Sequence, residues 1–124
     1  MQDTIKETID NLGKNHIAGY YVESIFQLHE LIRKLMPEGQ TVGCGDSVTL
    51  EQTGVYEYVR NHYYNFLDKH QEGLGHEEKR ELYLKNFRAD TFLTGINAVT
   101  ADGKLFNIDG NGSRVAPIIY GPRR

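Results

Sequence analysis

Two stretches of this chain gather small, polar and charged residues in a way that a packed scaffold alone does not demand. The first is Gly43-Cys44-Gly45-Asp46-Ser47-Val48-Thr49. Closely spaced glycines let backbone N–H groups approach an anion, and a helix beginning at the end of the stretch adds partial positive charge. Ser47 and Thr49 can donate hydroxyls to the same ligand. The spacing is neither a dinucleotide fingerprint nor a phosphate-binding lysine loop. A tight strand-to-helix turn capped by Ser47 explains the same residues equally well.

The second stretch runs over residues 95–114 and carries two Asp, three Asn, four Gly and one Arg around Asp102-Gly103. Turn chemistry accounts for Asp102-Gly103. It accounts less well for Asn97, Asn107 and Asp109, which border apolar strand ends. Ligand-binding candidates are therefore Gly43, Gly45, Asp46, Ser47 and Thr49, together with Gly95, Asn97, Asn107, Asp109, Gly110, Asn111, Gly112 and Arg114. Asp46, Glu51 and Asp109 are the candidates for general acid–base work, with Asn97 and Arg114 holding an anion. In open α/β sheets ligands gather outside the carboxyl ends of strands, so the two stretches are expected to face one crevice.

The remaining candidates read as structural. Cys44 could act as a nucleophile at a helix N-terminus, but a lone cysteine without a base is more often a packing residue. The five histidines, His16, His29, His62, His70 and His76, show no metal-ligand spacing and suit exposed or capping positions. Tyr20-Tyr21 and Tyr63-Tyr64 fall on expected strands, where one ring of each pair goes to the core. The run Glu77-Glu78-Lys79-Arg80-Glu81 reads as a solvated helix face with i,i+3 and i,i+4 pairs.

The elements that must position these residues follow from periodicity. Ile5, Ile9 and Leu12 make an amphipathic helix ending at Gly13; residues 16–22 read as a strand, and Ser24 caps a helix carrying Ile25, Leu28, Ile32, Leu35 and Met36. Thr41-Val42 opens a strand, short helices follow over residues 48–52 and 55–61, and residues 64–67 form another strand. A helix over residues 76–87 buries Leu82, Tyr83 and Phe87. Residues 91–94 form a buried strand, Ala98-Val99 and Leu105-Phe106 a hairpin about Asp102-Gly103, and residues 114–120 a helix. Alternating strands and helices imply an α/β fold with a mostly parallel sheet and flanking helices. The chain stops at Arg123-Arg124, where that alternation asks for another strand. The reading expects an unpaired sheet edge and either self-association through it or exchange of elements between copies, the alternative being a monomer whose N-terminal helix covers the edge.

Composition narrows the function. With 124 residues the chain suits a single domain, 1–124. Lys plus Arg is 14 against 17 Asp plus Glu, a net charge of −3, so no basic field for nucleic acid exists. One cysteine excludes an internal disulfide framework and a multi-cysteine metal or iron–sulfur site. There is no secretory signal and no apolar run long enough for a membrane, so a cytoplasmic location is expected.

The stretches Val42-Gly43-Cys44-Gly45-Asp46-Ser47-Val48-Thr49-Leu50 and Gly95-Ile96-Asn97-Ala98-Val99-Thr100, with Asp102-Gly103 and Asn107-Ile108-Asp109-Gly110-Asn111-Gly112-Ser113-Arg114-Val115-Ala116, resemble the lactate-utilisation (LUD) domain family. The resemblance spans nearly the whole chain. It implies a CoA-transferase-like fold related to ribose-phosphate isomerases and glucosamine-phosphate deaminases, whose corresponding loop binds phosphorylated or CoA-linked ligands. It also implies a part in lactate oxidation beside an iron–sulfur partner protein. The resemblance leads one to expect a further strand and helix after Arg124 that this sequence does not contain, and it places Cys44 where the family commonly varies, which argues against a catalytic thiol. No cofactor is identified and none is expected to be covalently bound; a small anionic metabolite is the expected ligand. The alternatives are a stand-alone isomerase or acyl/CoA-transfer-type enzyme acting on a phosphorylated or carboxylated small molecule, and a non-catalytic ligand sensor.

Overall fold

In the computed structural model, which describes residues 1–124, the strand at the centre of the sheet is β1 (Thr41–Cys44), buried from Val42 onward. It is flanked in parallel by β2 (Asn65–Phe66), with Val42 opposite Phe66, and by β3 (Thr91–Leu93), with Gly43 opposite Phe92. The order is β2-β1-β3. The chain thus leaves β1 for one neighbour and later crosses to the other, so the loops leaving β1 and β3 part at a topological switch point. Parallel neighbours need crossovers. Between β1 and β2 these are α3 (Val48–Gln52) and α4 (Val55–Arg60). Between β2 and β3 they are α5 (His76–Lys85) and a 3-10 turn at Asn86–Arg88. The result is a mixed α/β fold with a small parallel sheet flanked by helices, as the alternation implies.

The core of this sheet-bearing unit, residues 29–95 and 109–124, is Met36, Val42 and Val59, with Ile32, Tyr58, Tyr64, Phe66 and Leu93 packed against them. Val42 and Val59 are wholly buried, each worth about 1.5–3 kcal/mol of transfer free energy. Gly43 is required here, because a Cβ at this position would run into Asn86 Oδ1. On the outer side of β3, Phe92 N–H donates to the Arg124 carbonyl (2.9 Å) and Arg124 N–H donates to the Asp90 carbonyl (3.1 Å). That edge is therefore paired at its start by Arg124 rather than open along its length. α6 (Val115–Tyr120) precedes this segment.

Residues 1–28 and 96–108 form a second compact unit. In it, α1 (Asp3–Lys14) meets the hairpin of β4 (Ala98–Val99) and β5 (Leu105–Phe106). Asn11 Nδ2 donates to the Ala101 carbonyl (2.8 Å) and Asn15 Nδ2 to the Gly103 carbonyl (2.9 Å). The turn holds three residues between Thr100 and Lys104, with Gly103 at φ 84° against the Asn11 backbone. This is the glycine-bulge form of hairpin loop.

Several expectations are corrected. α1 runs through Gly13, and its cap is a Schellman motif: Ile17 N–H donates to the Leu12 carbonyl and His16 N–H to the Gly13 carbonyl, with His16 itself left-handed at φ 62°. Residues 16–22 are not a strand, because the β-formers there have no partner strand, and both Tyr20 (55 % exposed) and Tyr21 (44 %) face water. In the second pair one ring does go inward: Tyr64 donates to the Met36 carbonyl at 2.5 Å while Tyr63 is exposed. α2 (Ile25–Leu35) forms as read, with Ser24 Oγ accepting from Gln27 N–H (3.1 Å), but its first residue Ile25 is exposed. α5 buries no residue fully: Leu82 and Tyr83 are half-buried, and Phe87, on the 3-10 turn that follows the helix, is exposed. The charges of residues 77–81 form no ion pairs with one another.

Candidate functional site

Three loops leave the carboxyl ends of the parallel strands, and the residues with chemical capacity collect there. After β1, Gly45 N–H donates to the Leu93 carbonyl (2.9 Å), and the buried Tyr56 hydroxyl donates to the Gly45 carbonyl (2.6 Å). Ser47 Oγ then accepts from Leu50 N–H (3.1 Å) and caps α3, as the tight-turn reading requires. After β3 comes Gly95. A Cβ there would lie 2.9 Å from Ser47 Oγ, and one at Gly45 would lie 3.1 Å from Thr94 Oγ1 and 3.2 Å from Arg114 Cγ. The two glycines exist for close approach: they let Ser47, Thr94 and Arg114 close in on the switch point. Arg114 Nη1 donates to the Gly95 carbonyl at 2.8 Å.

The loop after β2 supplies a charged group that the sequence motifs do not mark. Asp68, buried, accepts from Arg60 Nε (2.7 Å), Arg60 Nη2 (3.3 Å) and the His70 N–H (2.9 Å). The His70 ring stands between two carboxylates, with Nε2 3.3 Å from Asp46 Oδ1 and Nδ1 3.7 Å from Asp68 Oδ1. Lys69 Nζ pairs with Asp46 Oδ2 at 2.9 Å and lies 4.9 Å from the centroid of the Tyr83 ring. Burial by itself would raise both carboxyls. The hydrogen bonds and charge of Lys69 and His70 outweigh it at Asp46, and those of Arg60 and His70 at Asp68, so both sit below the ordinary value.

Cys44 is buried beneath this group, and burial pushes its thiol up to about 11. A thiol so placed is neither thiolate nor accessible at neutral pH, which removes it as a nucleophile. No group of three or more His, Cys, Asp or Glu side chains is disposed to hold a metal ion.

The second stretch divides between the two compact units. Asn97 Oδ1 accepts from Ile108 N–H (3.0 Å), closing the base of the hairpin, and Asn107 lies beside it in the sequence. Asp109 Oδ2 accepts from the backbone N–H groups of Arg114 (2.8 Å) and Val115 (3.1 Å) and so tethers the start of α6. Burial works against its charge, but these N–H groups hold the carboxyl below the ordinary value. Asn111 Oδ1 accepts from Ser113 N–H (3.1 Å) and Gly112 takes φ 81°, which is turn chemistry, while Gly110 is exposed. Thr49 and Glu51 are exposed on α3. Gly45, Asp46, Ser47, Gly95, Asp109 and Arg114 thus lie in the sheet-bearing unit with Asp68, Lys69 and His70, the three residues the sequence reading does not select. Their signal was position: they directly follow a strand's carboxyl end.

Chemically, the arrangement offers the cations Lys69 and Arg114, an imidazole between two carboxylates for proton transfer, and a hydroxyl at Ser47. No curated protein and no solved structure matches the chain. The family model of the LUD domain matches residues 5–124. The motifs around Gly45 and Asp109 lie within that span, and the chain belongs to the LUD domain family.

Proposed function

We propose that this LUD-domain protein serves lactate utilisation by binding a small organic carboxylate, lactate or a close relative, at the carboxyl end of its parallel sheet. The observation that carries the reading is that Lys69 and His70, on the loop leaving β2, meet Asp46 on the loop leaving β1, while Arg114 at the start of α6 bonds the Gly95 carbonyl on the loop leaving β3. Oxidation of a 2-hydroxy acid to a 2-oxo acid releases two electrons and two protons. His70, oriented by Asp68, is suited to take the hydroxyl proton. The one cysteine, buried Cys44, cannot hold a cluster, so the two electrons pass to an acceptor outside this chain, which an iron–sulfur partner protein fits, and the second proton, from the C–H carbon, passes to solvent. A CoA-transferase-like organisation as one domain, a cytoplasmic location and self-association belong to the same reading. Exposed Ile119 (77 %) and Tyr120 (88 %) on α6 support self-association.

The direct test is thermal shift of the full chain with lactate, CoA, folates and sugar phosphates, since occupancy raises stability by RT ln(1 + [L]/Kd). Stabilisation by lactate that is lost in Lys69→Gln carries the reading, and growth on lactate unaffected by gene deletion defeats it. The placement of His70 between Asp46 and Asp68 also favours a second reading, a stand-alone isomerase or acyl/CoA-transfer-type enzyme. Turnover of sugar phosphates or acyl-CoAs by the purified protein decides for it. A non-catalytic sensor would keep both ligand binding and cellular function in His70→Asn.

A further inference from the structure

α5 carries His76, Arg80, Tyr83 and Leu84 at spacings that place all four on one face of the helix, and Phe87, on the 3-10 turn that follows, lines the same cavity. That face does not enter the core: Leu84 is 48 % and Phe87 37 % exposed. It lines a cavity of about 330 Å3, whose other wall is the Asn111–Ser113 turn and Ala116. A volume of that size lies near the lower end of small-molecule sites, about 300–1,000 Å3, and exceeds what a three-carbon acid fills.

The lining is polarised along the helix. His76 and Arg80 stand toward the N-terminal end, and Tyr83, Leu84 and Phe87 toward the C-terminal end. Arg80 to Phe87 runs along the last turn of α5 and into the 3-10 turn, a rise of about 11 Å, the scale of an anionic group joined to a ring. Arg80 lies among Glu77, Glu78 and Glu81 yet forms no ion pair with any of them. Tyr83 is fixed by Lys69, which also holds Asp46.

We infer that this cavity binds an amphipathic organic anion, a carboxylate attached to a flat apolar body, with the carboxylate on Arg80 and the body over Tyr83, Leu84 and Phe87. A guanidinium fork favours a carboxylate, and aromatic and aliphatic side chains already facing water gain by being covered. This inference does not depend on lactate binding at the sheet.

The test is calorimetric titration of the 124-residue chain with indole-3-acetate, the neutral indole-3-acetamide, inorganic phosphate and lactate. Indole-3-acetate is expected to bind saturably. Arg80→Gln should weaken it about tenfold, Phe87→Ala should weaken both indoles, and Lys85→Gln, a charge control on the same helix, should change neither. Equal affinity for the amide, equal affinity for phosphate, equal effects of Arg80→Gln and Lys85→Gln, or no saturable binding of indole-3-acetate overturns the inference. Lactate in the same series separates its failure from failure of the sheet site.

Discussion

Arg114 Nη1 donates to the carbonyl of Gly95 at 2.8 Å, tying the loop after β3 to the start of α6. The aliphatic part of the same side chain lies against Gly45, so one residue joins three segments at the switch point. Arg114→Ala should lower unfolding free energy by about 1–2 kcal/mol, from the lost hydrogen bond and the lost stem packing. Urea denaturation with an unchanged m-value would show this as a shift in midpoint alone. An unchanged midpoint would mean that the tie contributes nothing.

Acid stability should depend on Asp68. Its folded-state carboxyl lies below the ordinary value because Arg60 and His70 outweigh burial. A depressed carboxyl contributes stability above its unfolded pKa, near 4, and loses it as pH falls through the folded value. Asp46 and Asp109 are depressed as well and add to the same limb. The unfolding free energy should therefore fall below about pH 4, and Asp68→Asn should flatten that fall. At neutral pH the same variant should cost about 1–3 kcal/mol, since Arg60 loses its buried partner but keeps the exposed Glu57. Chemical denaturation across pH checks both.

Cys44 should resist alkylation. Its thiol is pushed up to about 11 by burial and lies behind the loop after β2, with Sγ 3.9 Å from the Leu67 carbonyl. Iodoacetamide at neutral pH should react only as the chain opens, with a rate that rises in urea. Rapid, stoichiometric modification of the native protein would contradict this placement.

Gly43→Ala should be costly, and Asn86 should be the reason. The new methyl would meet Asn86 Oδ1, a buried acceptor without a hydrogen-bond partner. The single variant should lose about 1–3 kcal/mol. Asn86→Ala in combination should recover part of that loss, so the double-mutant cycle shows coupling between the two sites. Strict additivity would place the clash elsewhere.

His16→Gly should stabilise the chain. The Schellman cap of α1 puts a histidine where the backbone is left-handed, φ 62°, which costs an L-residue about 1–2 kcal/mol and glycine almost nothing. Glycine's greater freedom in the unfolded chain returns about 0.4–1 kcal/mol of this. The expected net gain is about 0.5–1 kcal/mol, measured as a raised midpoint of denaturation.

The residues that announced themselves in the sequence did so through local chemistry. Val42 opening a short apolar run, Ser47 before a helix, Ser24 three residues ahead of Gln27, and Asp102-Gly103 between apolar pairs each act within a few positions of themselves, and each forms the element its neighbours require. The family motifs are legible for the same reason, being contiguous. What tertiary structure decided is partnership. Residues 16–22 have strand-forming side chains but no strand to pair with, and propensity without a partner leaves them outside any strand, with Tyr20 and Tyr21 exposed. Asp109 reads as a site acid, but five and six residues along the chain its carboxylate finds two backbone N–H groups. His70 shows no motif at all: Asp68 is its local neighbour two residues back, but Asp46 comes to it only when β1 and β2 pair in parallel. Position along a chain specifies what a residue can form locally; which charges share a crevice depends on the order β2-β1-β3, which no spacing in the sequence records.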